Sequence, residues 1–185
     1  MSSALRGLLL FICAAAISAQ QQRAGLETDW DIGAVLQQIS AHASKMLPAL
    51  EKIDARAWVA KGAPEAYADQ LQSSKDQARS LAEGAKNLER HPEQLSGSLE
   101  IYFRIQGLET MTVSVAEALR KYQSPAAAQE LIAMAAENGA NRDRLQKYLV
   151  NLAAEREHDL QVMDREAQRC RGILTEPPPK AGKKR

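Results

Sequence analysis

The residue pair with the clearest chemical potential is Glu155 and His158, which form a Glu-x-x-His motif. Residues three apart project from one face of a helix, and di-iron four-helix bundles use this spacing to bind metal. Such a site needs a second Glu-x-x-His motif, and this chain has only one. His158 also lies about 200° around the helix from Arg156 and Leu160, away from the apolar residues. The sequence therefore favours a solvated face here and predicts no metal site.

Non-covalent haem is a second chemical possibility. Exported four-helix haem bundles take one ligand from the first helix and one from the last, and His42, Met46 and His158 lie in the corresponding predicted helices. Met46 belongs to a seam, the name used here for a row of apolar residues that recurs every three or four positions. His42 lies at the edge of that seam, whereas His158 points outward. We therefore predict no cofactor and keep a haem- or metal-binding bundle as the alternative interpretation.

Motifs of well-known catalytic and cofactor sites are absent from the chain. It has no HExxH, CxxC, Walker loop, dinucleotide-binding glycine fingerprint, G-x-S-x-G elbow, EF-hand loop or Cys-x-x-Cys-His haem attachment motif. No nucleophile can be assigned a base from sequence positions alone. The sequence therefore predicts no enzymatic activity and no catalytic residue.

Two single residues in the seam of the last predicted helix have more than one interpretation. Arg156 is a charge within that seam, and we expect it to extend from the edge of the core or to pair with an acid, with an anionic partner as the alternative. Cys170 is the only cysteine after position 13. We expect a buried, apolar thiol, with an intermolecular disulfide or a reactive thiol as the alternatives.

Four stretches of the chain carry seams at alternating spacings of four and three, which is typical of helices packed in bundles and coiled coils. The first three seams are Ile32, Leu36, Ile39, Ala43, Met46, Leu50 and Ile53; Tyr67, Leu71, Ser74, Ala78, Leu81, Ala85 and Leu88; and Ile101, Ile105, Leu108, Thr112, Val115, Leu119 and Tyr122. The fourth is Leu145, Leu149, Leu152, Arg156, Leu160, Met163, Ala167, Cys170 and Leu174.

Capping and breaking residues set the limits of these helices. Thr28 and Asp31 form a capping box, so the first helix is predicted to begin at Thr28 or Asp29, and Pro48 is predicted to kink it. The breaks that follow are Gly62-Ala63-Pro64, His91-Pro92, Ser124-Pro125 and Asn138-Gly139-Ala140-Asn141.

The segment 125–137 is predicted to be a short bent or connecting helix. Ser124 is its expected N-cap, Gly139 its C-terminal cap and Asn141 the N-cap of the last helix. One continuous helix with an interior glycine is the alternative. Such a helix over 126–173 would be roughly 70 Å long, and the part beyond the other helices would have nothing to pack on.

The first 19 residues are typical of a secretory signal peptide. Arg6 precedes an apolar run of 12 residues that is too short to span a bilayer, which needs about 20. Cleavage is expected after Ala16 or Ala19. Lipidation at Cys13 and an uncleaved anchor are the alternatives. We therefore expect an exported protein, in a bacterial periplasm or outside the cell.

Composition and charge limit the fold class and the partners. Aromatic residues make up 4% of the chain, and Gly and Pro are few at 10 and 7, which argues against a β-sandwich or barrel. Loss of Arg6 with the leader changes the net charge from +1 to zero. A neutral chain offers no general attraction to nucleic acid or to an anionic membrane. The final residues, 175–185, carry four bases and one acid.

These observations predict an all-α fold, an antiparallel up-and-down bundle of four main helices over residues 28–174. A flexible segment at 20–27 is expected before the bundle, and a disordered basic tail at 175–185 after it. The predicted function is that of an exported, non-enzymatic bundle that binds an unknown protein or assembles with itself. We predict no nucleic-acid partner and, once the leader is cleaved, no membrane-spanning segment.

Overall fold

The computed structural model describes residues 31–175, with the side chains of residues 31–173. The described chain is entirely α-helical, with turns between the helices and no strands, which confirms the predicted fold class. The predicted leader, the segment 20–27, the helix start at Thr28 or Asp29 and most of the basic tail lie outside the described residues. The helices are α1 (Ile32–Glu51), α2 (Ala55–Val59), α3 (Ala66–Leu88), α4 (Leu95–Tyr122), α5 (Pro125–Ala136) and α6 (Gly139–Thr175).

The bundle has four antiparallel layers, and two helices share the fourth. Helix α3 packs between α1 and α4, α5 packs on α4, and the first part of α6 packs on both α4 and α1. Residues 125–153 would measure about 43 Å as a helix, close to about 42 Å for α4. The segment 125–137 is therefore the first half of a bent fourth helix, and not only a connector.

Burial follows the predicted seams through the first three long helices. All predicted seam residues in these helices are buried except Ile32, Tyr67 and Tyr122, which lie partly buried at the ends. Ser74 and Thr112 are polar seam residues, and each hydroxyl donates to the backbone carbonyl one turn earlier, at 2.8 and 2.7 Å. Because these hydrogen bonds stay within one helix, the two hydroxyls are buried without an unpaired polar group.

Asp31 caps helix α1 at the start of the described chain. Asp31 has an extended backbone, and its carboxylate accepts from the backbone N–H of Ala34 at 3.2 Å, so Asp31 is the N-cap and the helix begins at Ile32. The helix includes Pro48 and ends at Glu51, before the last residue of its predicted seam, Ile53.

The connection from α1 to α3 contains a short helix that the seam pattern does not predict. Asp54 caps α2 by accepting from the N–H of Ala57 at 3.1 Å. Gly62 then adopts a φ of 90°, a left-handed conformation that suits glycine at the predicted break. Trp58 of α2 is fully buried and donates its indole N–H to Gln123 Oε1 at 3.1 Å, so α2 covers the end of the bundle where α4 terminates.

The break between α5 and α6 is confirmed, but its capping residues differ from those predicted. Ser124 caps α5 as expected, accepting from the N–H of Ala127 at 3.2 Å. Gly139, in contrast, is the first residue of α6, and the carbonyl of Asn138 accepts the N–H of Arg142 at 3.0 Å. Asn138 is buried, and its side-chain oxygen accepts from Asn141 Nδ2 at 3.3 Å. Asn138 therefore stabilises the bend through its backbone carbonyl and its side chain, one residue before the predicted cap at Gly139.

The second half of α6 extends beyond the bundle, contrary to the prediction that its seam is buried. Every residue described after Ala153 is exposed, including Cys170, for which burial in the core was expected. Arg156 is exposed as well, and it was expected to extend from the edge of the core or to pair with an acid. Tyr148 donates to the carbonyl of Pro92 at 2.8 Å, and this contact marks the turn between α3 and α4 where the bundle ends. Beyond that turn no other described helix runs beside α6. Residues 154–175 are called the α6 extension below.

None of the helices between residues 31 and 175 has the length and apolar content of a membrane span.

The first prediction compares two valines on α4 that differ in burial. Val115 is 0% exposed and Val113 is 49% exposed. Both Val→Ala changes raise helix propensity equally, so their difference isolates the buried contact. We expect Val115→Ala to lower the free energy of unfolding by about 2 kcal/mol and Val113→Ala to change it by less than about 0.5 kcal/mol. Urea unfolding followed by circular dichroism measures both, and equal losses would contradict the burial pattern.

Candidate functional site

The main polar cluster inside the bundle lies at the bend between α5 and α6. His42 on α1 approaches the carbonyl of Met134 with its Nε2 at 2.7 Å. A carbonyl oxygen only accepts, so Nε2 carries the proton and Nδ1 of a neutral His42 is an acceptor. That Nδ1 is buried and has no hydrogen-bond partner among the described residues. His42 therefore ties α1 to the last turn of α5 and leaves one polar atom for a small ligand or a water molecule.

The space next to His42 is a small cavity. Its volume is about 10 Å³, which is the scale of a single water molecule. Met46, Glu109 and Asn138 line it with His42, together with four apolar residues: Leu81, Ile105, Leu108 and Ala135. The cavity brings together two of the proposed haem ligands, His42 and Met46. A haem would fit there only if the helices moved apart.

Ion pairs surround the bend on its solvent side. Arg142 lies 2.7 Å from Glu109 and 3.1 Å from Asp143, and hydrogen bonds to these carboxylates raise the pKa of Arg142 above its ordinary value. Lys45 lies 2.7 Å from Glu137, and its hydrogen bond lowers the pKa of that carboxyl. These charges join α1 to the end of α5 and α4 to the start of α6. The cluster is built to fix the bend, and sequence patterns did not identify it because its members come from four helices.

The predicted metal candidates lie elsewhere. Glu155 and His158 are exposed on the α6 extension. Within residues 31–175 no group of three or more His, Cys, Asp or Glu side chains could hold a metal ion. His158 also lies on a different part of the chain from the cavity at His42 and Met46. The structure thus places the proposed first-helix haem ligands together and leaves His158 apart from them.

The α6 extension holds four of the nine large hydrophobic residues that are exposed in the described chain: Leu160, Val162, Met163 and Ile173. Leu160 and Met163 are 65% and 66% exposed, and the next seam residues, Ala167 and Cys170, are exposed too. Arg156 lies at the base of the extension, where it donates to the carbonyl of Glu93 at 3.2 Å. It also lies 3.8 Å from Asp159. The one seam charge thus anchors the extension to the end of the bundle.

A shallow groove lies on the outer side of α3 and α4. Gly84 and Gly97 let the helices approach closely: a Cβ on Gly84 would lie 2.8 Å from Ile101 Cδ1, and one on Gly97 would lie 3.0 Å from Leu88 Cδ1. The groove has a volume of about 240 Å³. Its glycines serve the packing of the two helices, and we assign no ligand to it.

Comparisons of the chain with protein-family models, with curated proteins and with solved structures found no match.

The second prediction tests the structural role of His42 against an exposed histidine. His42→Ala removes one of the two donors to the Met134 carbonyl, which keeps the backbone N–H of Glu137, and it enlarges the cavity. We expect it to lower the free energy of unfolding by about 1–3 kcal/mol. His158→Ala removes an exposed ring and should change the free energy by less than about 0.5 kcal/mol. Chemical denaturation of both variants provides the measurement, and an unchanged stability of His42→Ala would rule out the proposed tie.

The third prediction concerns the pH dependence of the Lys45–Glu137 pair. The pKa of Glu137 is depressed in the folded state, so the pair stabilises the fold above the ordinary value of 4.5 and stops doing so as the pH falls through the depressed value. We expect Lys45→Met to raise the pKa of Glu137, measured by NMR titration of its carboxyl carbon. Lys86→Met on α3 is the control and should leave that pKa unchanged. No difference between the two variants would contradict the assignment.

Proposed function

We propose that this protein is an exported, non-enzymatic helical bundle that binds another amphipathic helix through the α6 extension. One observation carries the proposal: α6 continues for 22 residues past the bundle, about 33 Å, with its seam exposed. The bundle itself has its four layers complete without this segment.

The exposed seam supports this proposal energetically. Most helical stability in proteins comes from packing of an apolar face, and the extension lacks such packing within the described chain. Leu160, Met163, Ala167 and Cys170 follow the alternating spacing of three and four that lets one helix insert side chains between those of another. A helical partner would bury this seam and stabilise the extension.

The polar groups inside the bundle support a structural role for its interior. Four polar residues are buried in the described chain and hydrogen-bonded to it: Ser74, Ser98, Thr112 and Asn138. Two further buried side-chain atoms, His42 Nδ1 and Gln77 Oε1, have no partner among the described residues. The ionic groups at the bend are paired with one another. We therefore place the binding function on the outer surface and not in the core.

The sequence supports the proposed location and partner class. The apolar leader favours export to a bacterial periplasm or beyond, and the net charge of the chain without it is zero. Mixed charges on the extension suit a protein partner better than a nucleic acid, whose binding depends on an excess of bases.

A haem- or metal-binding bundle is the second candidate function. The observation in its favour is the common cavity of His42 and Met46. Its small volume and the distant place of His158 in the chain make it the weaker candidate.

The fourth prediction tests whether binding depends on the exposed seam. Tagged wild-type protein and the tagged double variant Leu160→Glu/Met163→Glu serve as baits. Each bait is mixed with an envelope extract of the producing cells and, separately, with a differently tagged copy of the chain. We expect at least a tenfold drop in recovered partner for the double variant, because two charges would then enter the helix contact.

Val150→Glu is the matched control, since Val150 is equally exposed, at 64%, but lies on the part of α6 within the bundle. This control should recover the partner as the wild type does. The wild type, the double variant and the control could instead recover equal amounts of every partner, including the differently tagged copy of the chain. That result would show that the extension is not the binding surface.

A further inference from the structure

We propose that the helix bound by the α6 extension is the extension of a second copy of this chain, in antiparallel orientation and centred on Arg165. This inference rests on the proposed function, that the extension binds a helix. It adds the identity of the partner, the orientation and the register. Three properties of the extension support it: its charge, the sizes of its seam residues and its length.

The charges of the extension divide into two opposite halves. Residues 154–164 hold four acids, Glu155, Glu157, Asp159 and Asp164, against Arg156. Residues 165–175 hold three bases, Arg165, Arg169 and Arg171, against Glu166. The halves therefore carry net charges of −3 and +2. Antiparallel pairing of two copies brings each acidic half beside a basic half, whereas parallel pairing brings like charges together. Charge patterns of this kind set the orientation of paired helices.

The side-chain sizes favour the same orientation. With Arg165 at the centre, Leu160 lies opposite Cys170 of the second copy, and Met163 lies opposite Ala167 of the second copy. Each layer then combines a large residue with a small one, so the layers fill evenly. A parallel pair would instead stack Leu160 on Leu160 and Ala167 on Ala167, leaving crowded and underfilled layers in turn.

The length of the extension agrees with this register. Centring the pair on Arg165 aligns residue 155 with residue 175, so the pairing uses all but one residue of the extension and each tip ends at the base of the other copy's bundle. A contact about 33 Å long is short for a coiled coil, so we expect a weak dimer that forms with increasing concentration.

The register also determines the position of the thiols. Two Cys170 residues would each lie five positions from the centre, so they would be separated by about 15 Å along the axis. A disulfide needs Cα atoms within about 7 Å of each other. Cys170, the exposed cysteine of the described chain, would therefore not link the two copies, whereas a parallel dimer would bring the two thiols together.

Cysteine cross-linking tests the partner and the register together. The full chain is purified with Cys13→Ser, so that only positions 160 and 170 contribute thiols. Three forms are oxidised mildly and run on non-reducing gels: the background form, Leu160→Cys, and Leu160→Cys/Cys170→Ser. Position 160 is exposed, and circular dichroism confirms that each form is folded. We expect at least tenfold more covalent dimer for Leu160→Cys than for the other two.

The alternative results are each decisive. Covalent dimers of the background form and of Leu160→Cys/Cys170→Ser would show a parallel pair and overturn the orientation. No covalent dimer in any form, with a monomeric mass by sedimentation at all accessible concentrations, would overturn the second copy as partner. The proposed function would survive that result if the extract experiment still recovered another protein in a seam-dependent way, and it would fail if that recovery were also independent of the seam.

Discussion

Burial of one narrow apolar stripe on each helix is the interaction on which this structure depends. The stripes of α1, α3 and α4 are made largely of Ala, Leu and Ile, and the small alanines Ala43, Ala78 and Ala85 let the helices pack closely. Aromatic residues contribute little to the core of the described chain, where Trp58 and Tyr148 are the buried ones. The remaining features, including the bend, the end caps and the projecting helix, follow from how the fourth layer meets these three stripes.

The bend allows two helices to occupy one layer. Helix α5 follows α4 for about half its length, and α6 completes the layer while also contacting α1. The carbonyl of Met134 at the end of α5 accepts from His42 Nε2 and from the backbone N–H of Glu137, and the carbonyl of Asn138 accepts from the N–H of Arg142 in the first turn of α6. In a straight helix the Met134 carbonyl would accept from the N–H of Asn138, so His42 and Glu137 replace that bond at the bend.

The sequence predicted the helices well because their periodicity is a local property. The all-α class, the antiparallel order, the breaks at Gly62, Pro92 and Asn138 and the cap at Ser124 were all accessible from spacing and capping residues. The short helix α2 was missed, since five residues are too few to show a period. The capping box with Thr28 placed Asp31 in the first turn of the helix, whereas Asp31 is the N-cap of α1. Aspartate is common at both positions, so the residue type alone does not distinguish them.

Burial of the last seam could not be predicted in the same way. Leu152 and Leu160 belong to one continuous pattern, yet the first is buried and the second is exposed. The bundle ends at the turn around Pro92, just before α4 begins, and α6 continues past that point. The spacing of apolar residues in α6 does not show where the neighbouring helix ends. The polar cluster at His42 was also inaccessible, because Glu109, Glu137 and Arg142 approach it only through the fold.

The projecting half of α6 has a consequence for the charges near its far end. Thr175 is covalently followed by an acidic residue, three prolines and a lysine-rich end. Because the helix between Ala153 and Thr175 measures about 33 Å, its far end lies about four Debye lengths from the end of the bundle at physiological salt. Charges at that end of α6, such as Arg169, are therefore screened from the charges of the bundle.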